Sequence, residues 1–182
     1  MKEIRLHGRG GQGVVKASQI IVKAAVAGGR QGQFIPFFGV ERKGSPVFGY
    51  LRLSDHEIRR KMQIYQPDML VIMDDSLVDL PSTYDGLKED GMILINSIKE
   101  PDALDIPPQA GDVAIVDATG ISEKYLGRNI PNTAMLGAFL KATAMVDPEA
   151  LYDAIDESFG GRNKEAATEA FDTVRILKKG EY

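Results

Sequence analysis

Apolar residues along this chain follow two alternating patterns, and the alternation predicts the fold. From Lys2 to His7 charged and apolar residues take turns, with Ile4 and Leu6 on one side, which reads as a short strand. Between Gly13 and Ala27 the spacing changes. Val14, Ala17, Ile21, Ala24 and Ala25 share one face of a helix, and Gly28-Gly29 supplies its stop. Residues 31 to 38 predict a second strand broken by Pro36. Val47 to Leu53 predicts a third, in which Gly49 points to a bulge or a close backbone approach.

Three later runs are apolar throughout: Met69 to Met73, Met92 to Ile95 and Val113 to Val116. Continuous apolar runs mark strands buried on both faces. Each ends in polar residues: Asp74-Asp75, Asn96-Ser97 and Asp117 with Thr119. Residues 98 to 111 carry three prolines and read as a connection. The remainder looks helical, with one helix over about 133–145 and a last one over about 164–178. Another starts at Asp147-Pro148, where Asp147 is the N-cap and Pro148 the first helical residue. The order predicts an α/β fold, a Rossmann-like and mainly parallel sheet with helices on both faces, in a single domain over 1–182.

Charge and composition narrow the function. With 22 basic and 26 acidic side chains the net charge is −4, against a dominant nucleic-acid-binding face. The chain has no cysteine, so disulfides, a thiol nucleophile and thiolate ligation of an iron–sulfur cluster are excluded. His7 and His56 are the only histidines and lack zinc-site spacing. No apolar run approaches the ~20 residues of a membrane span. The N-terminus opens into a strand rather than a signal peptide, so the cytoplasm is expected. No catalytic residue and no metal site stands out.

The candidate chemistry lies in loops. Gly8-Arg9-Gly10-Gly11-Gln12-Gly13 fits G-x-G-x-x-G between a strand and a helix. Such glycines let the backbone turn sharply and approach a ligand, and the helix start offers free N–H groups to an anion. Arg9 could add a charged hydrogen bond. A tight turn that binds nothing wants the same glycines. A dinucleotide cofactor would want an acidic residue ~20 positions after the loop, and residues 31 to 40 contain none. Phe34, Phe37 and Phe38 suit either core packing or a partner surface. The segment Glu41 to Val47 carries Arg42 and Lys43, a solvated turn or a cationic loop for a phosphate or a partner's carboxylates. The polar strand ends suit ligand contacts in an open α/β sheet, but capping uses the same residue types and is the expected role for most.

Together these segments resemble the gamma subunit of the 2-oxoacid:ferredoxin oxidoreductases, the pyruvate synthase group. The glycine loop matches from Gly8 to Val14, and the small-residue helix from Ala17 to Ala27. Pro36, Gly39, Glu41, Arg42, Lys43, Gly44, Pro46 and Val47 match a second motif, and Asn132, Met135, Leu136, Gly137 and Ala138 a third. Lys43 stands where many relatives have Arg, which loses a bidentate fork. The Glu41 to Val47 form is closer to the pyruvate and branched-chain types. The resemblance implies a subunit inactive alone, in an enzyme of anaerobic metabolism. That enzyme turns a 2-oxoacid and coenzyme A into acyl-CoA, carbon dioxide and reduced ferredoxin. It implies that Gly8, Arg9, Gly10, Gly11, Gln12, Gly13 and Arg42 help hold coenzyme A. Thiamine diphosphate and the iron–sulfur clusters would sit in alpha-, beta- and delta-type partner subunits, with ferredoxin met through the complex. A stand-alone nucleotide-dependent enzyme and a non-binding scaffold subunit are the alternatives.

Overall fold

Residues 1–37 and 45–182 are described by the computed structural model. The first alternation forms β1 (Lys2–Arg9), which turns Ile4 and Leu6 to one side of a sheet. The glycine turn leads into α1 (Val14–Ala27) and then β2 (Gln31–Phe37). Next come β3 (Pro46–Ser54), β4 (Met69–Ile72), β5 (Gly91–Asn96) and β6 (Ala110–Val116). Four helices close the chain: α2 (Ala118–Leu126), α3 (Asn132–Thr143), α4 (Pro148–Phe159) and α5 (Gly161–Thr173). Asp147 caps α4, accepting from the Ala150 N–H at 2.8 Å with Pro148 in the first turn, as its sequence predicts.

Among the described residues seven strands run in the order β2-β3-β1-β4-β5-β6-β7, where β7 is Arg175–Leu177. β1, β4, β5 and β6 are parallel neighbours. β3 is antiparallel to both β1 and β2, and β7 is antiparallel to β6. The parallel character therefore belongs to the centre. The last helix, expected to reach about residue 178, stops at Thr173. Val174 is extended, and the following three residues cover the otherwise open edge of β6. Pro36 sits in β2, an edge strand, where a missing donor is tolerated. At Gly49 the register runs unbroken, and the close approach is made by the Phe34 ring, 2.5 Å from where a Cβ would stand.

The α/β class stands and both faces are covered, but not alike. Met69, Val71 and Met73 point to one face, Leu70 and Ile72 to the other. All five α-helices bury their apolar residues on the first face. The expected helices on the second reduce to 3-10 turns at Asp75–Leu77, Pro81–Thr83 and Pro101–Ala103. Pro81 and Pro101 open two of them, and downstream prolines, Pro81 after the first turn and Pro107 and Pro108 after the third, interrupt any longer helix there. Among the described residues no helix is long and apolar enough to cross a membrane.

Candidate functional site

The parallel strands β1, β4, β5 and β6 end along one edge, the place where open α/β sheets bind ligands. A cleft of about 320 Å³ lies there. Gln12, Asp74, Asp75, Asn96, Asp117 and Thr119 are among its walls. The glycine turn forms one side. Gly11 has φ 98° and Gly13 φ 82°, both in the left-handed region that L side chains avoid. Gly13 is the N-cap of α1, so no side chain caps that helix, and its first turn holds no acidic residue. Among the described residues no side chain caps the first N–H groups of α1, and the positive end of its dipole lies at this turn.

The residues singled out in this loop come together, with distinct roles. Gln12 Oε1 accepts from the Arg9 N–H at 2.8 Å, and its Nε2 donates to Asp74 at 2.7 Å. The Arg9 guanidinium donates to Ser76 Oγ at 2.7 and 3.1 Å and stands 3.6 Å from Asp74. Gly10 N–H donates to the Ser45 carbonyl at 3.0 Å. Gly8 lies against Val14 and Gly13 against Asn132, where an added Cβ would come within 2.5 Å of each side chain. A Cβ on Gly11 would meet nothing within 4 Å, so its difficulty is the backbone angle alone. Arg42 and the rest of 38–44 lie outside the described residues.

Capping was expected for most of the polar strand ends, but of these only Asp74 and Asp117 are N-caps. Asp74 accepts from the Ser76 N–H and Asp117 from the Gly120 N–H, at 3.1 and 2.7 Å. Burial pushes the Asp74 carboxyl up, but hydrogen bonds from Ser76 and Gln12 and the nearby Arg9 outweigh it and leave it below the usual carboxylate range. Asn96 is no cap. Its Nδ2 donates to the Met73 carbonyl and to Thr119 Oγ1, both at 2.9 Å, and ties β4 to the start of α2. Ser97 Oγ donates to Asp75 at 3.0 Å. Three carboxylates line this cleft, and two have a cation beside them: Arg9 stands 3.6 Å from Asp74 and Lys99 3.7 Å from Asp75.

The dinucleotide arrangement is also absent in topology. In that arrangement the second strand lies beside the first, whereas here β3 is inserted between β1 and β2. Phe34 packs on the helical core, while Phe37 is 40% exposed with its ring 6.2 Å from Tyr50. Pattern reading attached no role to Asn132 beyond its motif. It supports the glycine turn from α3, a contact between segments more than a hundred residues apart that only the fold creates.

Residues 3–175 match the family model described as pyruvate ferredoxin/flavodoxin oxidoreductase. The chain is 45% identical to pyruvate synthase subunit PorC of Methanothermobacter thermautotrophicus, over 98% of each protein. It is 46% identical to the pyruvate/ketoisovalerate oxidoreductases common subunit gamma of Thermococcus kodakarensis, over 98% of this chain and 100% of that one. The crystal structure of pyruvate oxidoreductase subunit PORC from Thermotoga maritima superposes with a TM-score of 0.86 at 34% identity, covering 97% of this chain and 98% of that one. The chain belongs to the pyruvate ferredoxin/flavodoxin oxidoreductase family, as a gamma-type subunit of the enzyme.

Proposed function

We propose that this subunit, in the cytoplasm, holds coenzyme A and helps assemble an enzyme acting on pyruvate or a closely related 2-oxoacid. The overall reaction joins the acyl group to coenzyme A, releases carbon dioxide and passes two electrons to ferredoxin. The observation that carries this reading is the uncapped start of α1 behind a turn with two positive-φ glycines. Such a turn presents backbone N–H groups to a phosphate. The names of the relatives support pyruvate as substrate. With no cysteine this chain offers no thiolate for a cluster, so the electron path belongs to partner subunits. The thiamine diphosphate that splits the 2-oxoacid is assigned to alpha- and beta-type partners, and clusters to beta- and delta-type partners. Arg42 is proposed to meet a coenzyme A phosphate or a partner's carboxylate.

A scaffold reading has two observations in its favour. Arg9 is already engaged by Ser76 and Asp74, and Gly8 and Gly13 are required by packing against their own chain. Gly11 separates the two readings, because among the described residues no neighbour constrains its side. Gly11→Val adds local strain of about 1–3 kcal/mol and a branched side chain on the loop's open side. In the reconstituted complex, with the folded fraction checked by circular dichroism, the Michaelis constant for coenzyme A should rise at least about tenfold. An unchanged constant in a folded variant makes the loop a turn and the subunit a scaffold.

A further inference from the structure

Gly10, Gly11 and Gly13 carry no side chain, so Gln12 alone gives that stretch a handle on the rest of the protein. Glycine has the most backbone freedom to lose on ordering, and Gly11 and Gly13 both hold positive φ. A turn of this composition keeps one conformation only if contacts outside it impose one. The Gln12 side chain is held at both ends. Its Oε1 accepts from the Arg9 N–H at 2.8 Å, while the Gln12 N–H donates to the Arg9 carbonyl at 3.1 Å, so the two residues close the turn on each other. Its Nε2 reaches out of the turn and donates to Asp74 Oδ2 at 2.7 Å. Gln12 stands between the two positive-φ glycines, so this outer bond fixes the peptides on either side of it.

Asp74 is well placed as an anchor. It lies just past β4, and the Met73 N–H before it donates to the His7 carbonyl of β1 at 2.8 Å. Its second oxygen, Oδ1, accepts from the Ser76 N–H at 3.1 Å and from the Ser76 hydroxyl at 2.5 Å. That hydroxyl in turn accepts from the Arg9 guanidinium, which also stands 3.6 Å from Oδ2. One carboxylate therefore gathers two side chains of the turn, Arg9 near its start and Gln12 within it. Both of its oxygens are engaged by donors of its own chain.

We propose that Asp74 is a positioning residue for coenzyme A: acting through Gln12, it holds the glycine turn in the form that presents backbone N–H groups to a phosphate. The inference rests on the glycine-loop reading and adds to it the residue that sets the shape of the loop. Asp74 acts at a distance from the reacting atoms, so its loss changes how tightly coenzyme A is held and leaves the chemistry alone. Hydrogen-bond direction supplies the test. A carboxylate accepts on both oxygens, whereas an amide accepts on one atom and donates from the other. Asp74→Asn keeps the shape, but its amide nitrogen faces either Gln12 Nε2 or the Ser76 donors, and a donor is left without its acceptor. Adding Gln12→Glu reverses the bond. The new amide donates to one oxygen of the new carboxylate, while the other oxygen still accepts from the Arg9 N–H. The pair also keeps its single negative charge close to Arg9.

The experiment is coenzyme A kinetics of the reconstituted enzyme with pyruvate saturating, the folded fraction being checked by circular dichroism. The variants are Asp74→Asn, Asp74→Asn/Gln12→Glu and Gly11→Val. In Asp74→Asn the Michaelis constant for coenzyme A should rise at least about tenfold with kcat within about twofold, and in the double variant it should return to within about threefold of wild type. A merely structural loss lowers the amount of competent enzyme, hence the apparent kcat, and reversing one hydrogen bond does not mend it. An unchanged constant in Asp74→Asn overturns the proposal. So does a fall in kcat without a rise in the constant, or a double variant no better than Asp74→Asn. Failure of the loop reading looks different. If Gly11→Val raises the constant and Asp74→Asn does not, the loop holds coenzyme A and this inference alone fails. If Gly11→Val leaves the constant unchanged, the loop is a plain turn, and the positioning role falls with it whatever Asp74→Asn does.

Discussion

The two faces of the sheet are closed by different physics. On the helical face Ile4, Leu6, Val71 and Leu94 meet the apolar sides of the helices. There α3 and α5 approach so closely that a Cβ on Gly137 would stand 1.8 Å from the Ala167 carbonyl oxygen. On the opposite face β1 and β3 bury charge. Arg52, with its side chain 1% exposed, donates to Glu3 at 2.8 Å, to Gln33 at 3.2 Å and to the Met62 carbonyl at 2.8 Å. Arg5 donates to His7 Nε2 and to the Thr83 carbonyl, each at 2.8 Å. Those bonds pin the links after β3 and β4 to the sheet where apolar cover is thin. The helical face is thus sensitive to volume, whereas the β1–β3 part of the other face depends on charge and hydrogen bonding beside the apolar cluster over β4 to β6.

The largest expected break is on the polar face. Arg52→Ala strands the mostly buried Glu3 carboxylate and leaves the Met62 carbonyl without its donor. Removing one member of a buried pair costs about 3–5 kcal/mol, and urea denaturation of the variant should show a loss of that order. A loss below about 1 kcal/mol, the level of an exposed pair, would mean that this face does not depend on its buried charge.

A pH series sharpens the same contrast. Burial, and then the charge of Arg5, hold the His7 imidazole down from its ordinary 6.5 to about 3. Between those values the unfolded chain binds a proton that the folded chain refuses. Stability from this group is therefore complete above 6.5 and falls as the pH drops towards 3. The slope is at most about 1.4 kcal/mol per pH unit. His7→Gln keeps an acceptor for Arg5 and removes the titration. The difference in slope between wild type and variant, measured by denaturation from roughly pH 5 to 7, isolates His7 from the carboxylates that titrate lower. Parallel slopes would refute its role.

The smallest effect tests the helical face. In an exposed helix Gly→Ala stabilises by up to about 1 kcal/mol. At Gly137 the added methyl meets the Ala167 carbonyl, and overpacking should reverse the sign, costing about 1–3 kcal/mol. The melting temperature of Gly137→Ala should fall. A rise would show that α3 and α5 have room to separate.

Much of this architecture was legible from local pattern. Period two at Lys2 to His7, the apolar runs of β4, β5 and β6, the face of α1 and the Asp147-Pro148 start all depend on neighbours in sequence. So does the glycine turn, since positive φ at Gly11 and Gly13 is a property of single residues. β7 was not legible. Arg175-Ile176-Leu177 is compatible with a helix, and only the open edge of β6 makes it a strand. Nor did pattern show that β3 enters between β1 and β2, which separates this sheet from the dinucleotide-binding order.

The sequence by itself determined the strand–turn–helix opening, the family motifs and the absence of any thiolate for a cluster. Tertiary structure alone decided which side chains meet. It paired Arg9 with Ser76 and Asp74, set Asn132 against Gly13, and brought Arg128 and Arg162 to one cleft while three aspartates gathered in another. Backbone conformation follows from short-range sterics and periodicity, which a sequence displays directly. The sign of a cleft's charge is a sum over residues far apart in the chain, and it exists only once packing has placed them side by side.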